Sequence, residues 1–319
     1  MKILVTGGAG AIGGRLVARL VQEADVKQVV VVDDLSSGYA DNLPQHPSLK
    51  FVQDTITKDE VLGRLFEEFR FEVVVHFAAN FANQSSVENP RKDLEVNGLG
   101  TLKLFEYCVK HKVRRVVYSS SSCVYGHRDG LLREEDREFT TETPYAATKL
   151  LGEHYAHFFH HFHGLDIVTL RFFNVYGAGE RPGPYRNVIP NFFHLALQKK
   201  PLPITGDGKE TRDFSYVSDA VNGTLSAIRT AGIGGMVFNV GSGRETQILH
   251  IAHEINRITQ NPSGIVLAPR RKWDGILRRL ASIDRAKKFL NYEPRVFLEE
   301  GLQKTHEYFL SQNLVNAAV

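Results

Sequence analysis

The chain has 319 residues, long enough for one large α/β domain with an attached lobe or for two domains. A hydrophobic fraction of 42%, a charged fraction of 24% and a formal net charge of +3 are those of an ordinary globular protein. So small a positive charge argues against a nucleic-acid or membrane-surface partner, and no apolar run approaches the roughly 20 residues that span a bilayer.

Taken in order, residues 2–6 (KILVT) predict a short buried parallel strand that breaks into GGAGAIGG. Gly7, Gly10 and Gly13 recur at intervals of three and lead through Ala11 and Ile12 into an amphipathic helix near 12–23. Glycines so placed permit a tight turn and a close backbone approach to a pyrophosphate, and the helix N-terminus offers free N–H groups to it. This is the pattern of a dinucleotide site rather than of a bare turn. A leader sequence is not expected from such a start.

A second strand, 28–34, ends in Asp33 and Asp34. Asp33 lies twenty residues past Gly13, where a carboxylate accepts from a ribose diol and repels a 2′-phosphate, so the expected cofactor is NAD rather than NADP. Ser37 and Gly38 in the following turn would line the same site. A third strand (51–55) brings Asp54 and Thr55 toward the adenine. A fourth (73–79) ends in Phe77, Ala78 and Ala79, small enough on average for close approach to the cofactor, while His76 reads as structural. A helix near 92–112 carries Asn97, whose amide would brace the strand-end loops at the cofactor or cap a turn.

Residues 114–126 predict a fifth strand ending in four serines, 119–122, at the edge where a parallel sheet presents its ligand crevice. Their pattern alone does not choose among them. Next comes PYAATK, with Tyr145 four residues before Lys149 and so on one helix face. A phenol of pKa about 10 keeps its proton at neutral pH; a nearby ammonium favours the phenolate and makes the tyrosine a usable acid/base.

The glycine loop, SSSSCVYG and YAATK in this order resemble the extended short-chain dehydrogenase/reductases, in the sugar-nucleotide branch of the UDP-glucose and UDP-galactose 4-epimerases. The resemblance covers nearly the whole chain. It implies a doubly wound parallel Rossmann sheet over 1–174 and 215–242, with a smaller discontinuous lobe over 175–214 and 243–319 for a nucleoside-diphosphate sugar. It assigns Ser121, Tyr145 and Lys149 as the catalytic triad, and Lys149 also to the nicotinamide ribose. It implies sugar-nucleotide contacts at Ser86, Ser121, Ser122, Asn174, Asn187, Val188, Arg212, Arg271 and Asp274.

Related dehydratases carry an Asp-Glu pair just after the catalytic hydroxyl residue, and the decarboxylase relatives keep the glutamate. Ser122 and Cys123 stand there, so no acid is in place for elimination. The expected reaction is epimerisation at C4, with a UDP-hexose favoured. A 2-epimerase, a dehydratase or reductase of the same family, and a non-catalytic NAD-binding regulator stay open as alternatives. Trp273 replaces a usual glycine and Arg278 a tyrosine, two departures at the hexose end. The arginines 270, 271, 278 and 279 suit two phosphates.

Between His154 and His163 five histidines crowd one helix; the family uses no metal, and none is expected here. Helices near 92–112 and 145–163 form the family's dimer bundle, so a homodimer is expected. Two cysteines, Cys108 and Cys123, make neither a disulfide framework nor a zinc set, which points to the cytoplasm.

Overall fold

The computed structural model describes residues 1–136, 140–270 and 275–314. Seven parallel strands form its main sheet, in the order Val237–Val240, Ile167–Phe172, Arg115–Ser121, Val73–His76, Lys2–Thr6, Gln28–Asp33, Leu49–Gln53. Valine-rich runs make these strands because both sheet faces are covered, leaving Val29–Val32 and Val73–Val75 essentially without solvent. Chain order reverses between Lys2–Thr6 and Val73–His76, and ligands of doubly wound sheets bind outside the carboxyl ends at such a switch point.

One face packs against the helices Ala11–Leu20 and Val217–Arg229. The other packs against Asp59–Phe69, Thr101–Lys110 and Pro144–His163. The segment expected as one helix near 92–112 is helical from Pro90 to Lys110 but widens into a π turn over Leu94–Gly100, which holds Asn97. Such widening commonly marks a functional neighbourhood. His76 is fully buried, its ring between Thr6 Oγ1 at 2.7 Å and Thr101 Oγ1 at 2.9 Å, and burial pushes its pKa down to about 3. It is a neutral structural residue.

A second sheet runs Glu245–Gln247, Thr211–Tyr216, Arg278–Ala281, Gly130–Leu132, with Asn174–Tyr176 also paired to Thr211–Tyr216. Its own core lies among the helices Val188–Leu197, Ile248–Thr259 and Leu298–Ser311. Gly130–Leu132, which no alternation in the sequence announces, ties the loop after the serine strand to this lobe. Asp213 locks the join: fully buried, it accepts from Ser242 N and Oγ at 2.6 Å, Gly243 N at 2.9 Å and Ala281 N at 3.2 Å. It is no surface ion-pair partner of Arg212.

Candidate active site

A cavity of about 560 Å³ runs along the carboxyl ends of the main sheet and under the lobe. Its floor begins at the glycine turn. Gly7 has φ +68°, and a Cβ there would lie 2.5 Å from the Ala78 amide nitrogen, so the turn is pressed against the next strand end. A Cβ at Gly13 would strike the Gly7 carbonyl. The helix Ala11–Leu20 starts without a side-chain cap or a first-turn acid, leaving its first N–H groups for an anion.

Asp33 lines the same cavity and accepts from Ala9 N and Leu35 N, each at 2.9 Å. Burial raises its pKa against the pull of those two bonds. Asp34, Ser37, Gly38, Asp54, Thr55, Phe77, Ala78 and Ala79 stand around it. Asp54 Oδ1 accepts from Lys58 Nζ at 2.9 Å, which lowers its pKa. A turn that only glycine fits, an uncapped helix start and a strand-end carboxylate fit NAD.

At the cavity's other end, Thr143 caps the helix Pro144–His163, its Oγ1 accepting from Ala146 N at 3.2 Å. Tyr145 and Lys149 then face the cavity one turn apart. Lys149 Nζ donates to the Ser119 carbonyl at 2.8 Å and lies 5.8 Å from the Tyr145 ring centroid. The Ser121 hydroxyl stands close enough to the Tyr145 phenol to favour its ionised form, and both line the cavity. The four serines are now distinguished. Ser119 offers its carbonyl to Lys149, and Ser120 turns inward to donate to Glu153. Ser121 meets Tyr145, and Ser122 is buried at the wall.

The electrostatics differ from the expectation that the lysine lowers the phenol. Burial holds the Tyr145 phenol well above its ordinary range, with Cys123 adding to the rise and the Ser121 hydroxyl opposing it. Burial also pulls Lys149 down to about 8, with Asp93 holding it back. Desolvation outweighs the neighbouring charge because both groups are almost wholly enclosed: 7% of Tyr145 and 2% of Lys149 is exposed.

Two sequence-derived contacts stand off the wall. Asn97 is buried behind the tyrosine helix, donating to Asp93 Oδ1 at 2.9 Å and Thr148 Oγ1 at 3.3 Å and accepting from Asn80 N at 2.7 Å. It braces the loop and does not line the cofactor cavity. Ser86 is fully buried; its Oγ accepts from Tyr145 N at 3.0 Å and donates to the Asn83 carbonyl at 2.7 Å, so it fixes the helix start and does not reach the substrate space. Both side chains are directed by tertiary packing that no local pattern reports.

Of the remaining positions, Asn174, Asn187, Val188 and Arg212 line the cavity. Asn187 Nδ2 donates to Glu180 Oε1 at 3.2 Å, and Arg212 donates to the Thr211 and Ile276 carbonyls. Arg271, Asp274 and Trp273 lie outside the described residues. Arg278 is not at the hexose end: it turns outward onto Glu245, 2.7 and 3.0 Å away, and Arg279 enters the cavity in its place. Arg270 sits near Glu210 at 3.5 Å. Sequence reading missed Asp93, Thr148, Glu180 and Asn83, whose Nδ2 donates to Cys123 Sγ at 3.4 Å.

The histidines of the long helix do not converge. His157 and His161 stack in parallel 6.1 Å apart, whereas His160 turns back to the Leu165 carbonyl.

Residues 3–241 match the NAD dependent epimerase/dehydratase family. The chain belongs to this family. NAD is its cofactor, and its members act on sugar nucleotides. It is 37% identical to a UDP-glucose 4-epimerase of Mycolicibacterium smegmatis, over 98% of this chain and all of that one. It is 34% identical to a UDP-glucuronate 4-epimerase of Thermodesulfobacterium geofontis, over 95% and 94%. Among solved structures, an epimerase of Methanothermobacter thermautotrophicus superposes with a TM-score of 0.95 at 49% identity, covering 98% of this chain and 94% of that one.

Proposed function

We propose that this enzyme epimerises a nucleoside-diphosphate sugar at C4, with a UDP-hexose as the favoured class, and regenerates its cofactor in each cycle. One observation carries the reading: Ser121, Tyr145 and Lys149 converge on one wall, and Ser122 and Cys123, neither of them an acid, follow the first. An acid/base is present for the sugar hydroxyl, and the position where elimination would need a carboxylate has none.

Bound NAD supplies the acceptor and donor of hydride. Tyr145 takes the proton from the C4 hydroxyl and later returns it. Ser121 holds that oxygen and, by hydrogen bonding to the phenolate, opposes the rise that burial imposes on Tyr145. Lys149, fixed on the Ser119 carbonyl, keeps a positive charge close to the phenol ring. The enclosed wall excludes water, and a ketone that turns in place is reprotonated on the same oxygen by the same tyrosine. Arg212 faces the diphosphate, a use suited to a planar guanidinium.

The reading extends to a cytoplasmic homodimer. Among the described residues no helix is long and apolar enough to cross a membrane. Leu94, Leu99, Phe158 and Phe162 are exposed on the two helical segments that form the family's dimer bundle.

Incubation with UDP-glucose, UDP-galactose and their N-acetyl forms, followed by proton NMR, tests the reaction. Interconversion at C4 without net NADH, lost in Tyr145→Phe, is expected. No turnover of any nucleotide sugar by NAD-loaded protein would sink the reading.

A further inference from the structure

Arg279 comes from the lobe strand Arg278–Ala281, which pairs in parallel with Gly130–Leu132. Successive side chains of a strand point to opposite faces, so Arg278 goes outward to Glu245 and Arg279 inward to the cavity. Only 6% of Arg279 is exposed. Its Nη2 donates to the Gly126 carbonyl at 2.7 Å and its Nη1 faces Cys123 Sγ at 3.9 Å. Its Nε has no hydrogen-bond partner, and no carboxylate pairs with the guanidinium among the described residues.

Two acids of the cavity wall are engaged elsewhere: Glu142 lies against His127, and Glu210 is nearest Arg270. A buried guanidinium without counter-charge is costly, and a ligand that brings the charge removes the cost. The cation's place matters as much as its lack of a partner. Cys123, which it faces, gives its backbone N–H to Ser121 Oγ at 3.2 Å, so Arg279 stands at the reacting end of the cavity. The glycine turn and its anion site are at the other end.

We propose that Arg279 is a specificity-determining residue that receives a carboxylate carried by the sugar ring, making a nucleoside-diphosphate hexuronate the preferred substrate over the neutral hexose. This rests on the nucleotide-sugar reading above and puts a hexuronate in place of the neutral hexose favoured there. A planar fork with one N–H already anchored on Gly126 presents its remaining donors to two carboxylate oxygens, which a hydroxymethyl group at the same ring position does not satisfy.

The test is calorimetric titration of NAD-loaded protein with UDP, UDP-glucose and UDP-glucuronate, in wild type, Arg279→Gln and Arg279→Lys, with thermal melts of each. Wild type is expected to bind UDP-glucuronate roughly 10- to 100-fold more tightly than UDP-glucose. Arg279→Gln should bring that ratio close to one, and Arg279→Lys should restore part of it. Equal weakening of all three ligands by Arg279→Gln would place the arginine on the diphosphate and overturn the proposal. So would a wild-type ratio of one, which remains decisive even where a variant does not fold. Failure of the reaction reading is seen separately: an acidic preference that disappears with Arg279, without inversion at C4 by NMR, upholds the subsite and removes the epimerase.

Discussion

Lys149 Nζ donates to the Ser119 carbonyl at 2.8 Å, and this bond holds a buried ammonium against the end of the serine strand. Burial lowers its pKa from 10.5 to about 8. Between those values the unfolded chain binds more protons at this position than the folded one. This contribution to stability therefore rises with pH through the window and is smallest below about pH 8. Lys149→Met should abolish turnover yet stabilise the fold at neutral pH by roughly 2 kcal/mol, the desolvation relieved less the bond lost. Urea unfolding of both proteins at neutral and alkaline pH checks this. The advantage should vanish above pH 10.5, and a variant less stable than wild type at pH 7 would refute the argument.

Glu153 and Arg171 form a second enclosed pair beneath the same strand end, with Nε–Oε1 at 2.9 Å and Nη2–Oε2 at 2.7 Å. Ser120 donates to the same carboxylate. Glu153→Gln removes the carboxylate that Arg171 pairs with in a low-dielectric setting and should cost about 3–5 kcal/mol. Replacing both residues by leucine should cost much less, because neither charge then needs solvation. Equal losses in the single and double variants, measured by denaturant midpoint, would show that the stranded arginine charge is not what the single substitution costs.

Gly7 and Gly232 both have positive φ, +68° and +73°, but their surroundings differ. Alanine at Gly232 meets nothing within 4 Å and should cost only the left-handed backbone, roughly 1–2 kcal/mol. Alanine at Gly7 carries the same backbone cost and also drives a methyl into the Ala78 backbone, moving the strand end that lines the cofactor cavity. Gly7→Ala should therefore lose NAD affinity as well as stability, read by fluorescence titration and melting. Similar losses in the two variants would argue against a special role for the turn.

Phe162 is 71% exposed and Phe158 42%, their rings tilted against each other with centroids 5.0 Å apart on the long helix. In the proposed homodimer these rings are covered. Phe162→Lys should then shift the protein from dimer to monomer in analytical ultracentrifugation without altering the far-UV spectrum. An unchanged sedimentation coefficient would place the subunit contact elsewhere.

The parts of this site that are legible in the chain are those whose geometry is local. A glycine turn between a strand and a helix, a strand-end Asp33, and a Tyr–Lys spacing of one helical turn each fix their own orientation within a few residues. Side chains whose direction depends on distant packing were not legible. Asn97 and Ser86 have the composition of ligand contacts, yet Asn80 and Thr148 arrive from other segments at Asn97, and Tyr145 at Ser86, and turn them into braces. Arg278 and Arg279 differ only in strand phase, which is set by pairing with Gly130–Leu132, a three-residue strand too short to predict. The pKa of Tyr145 was misjudged for the same reason: the spacing reports a neighbouring charge but not the depth of burial.

Glu180 offers a last test of how burial sets charge in this cavity. Its Oε1 accepts from Asn187 Nδ2 at 3.2 Å, and Oε2 is buried with no hydrogen-bond partner among the described residues. Burial raises its pKa from 4.5 to about 7, with Arg186 pulling the other way. Between those values the folded chain binds more protons than the unfolded one. The stability linked to this group is thus fully present below about pH 4.5 and lost as pH rises through 7. Glu180→Gln keeps the shape and the Asn187 contact while removing the ionisation. It should match wild type at acidic pH and exceed it above pH 7, by at most roughly 3 kcal/mol. Thermal melts across that range decide it: parallel curves for the two proteins would mean that the carboxylate is solvated or paired when folded, and that the loop carrying it relaxes on ionisation.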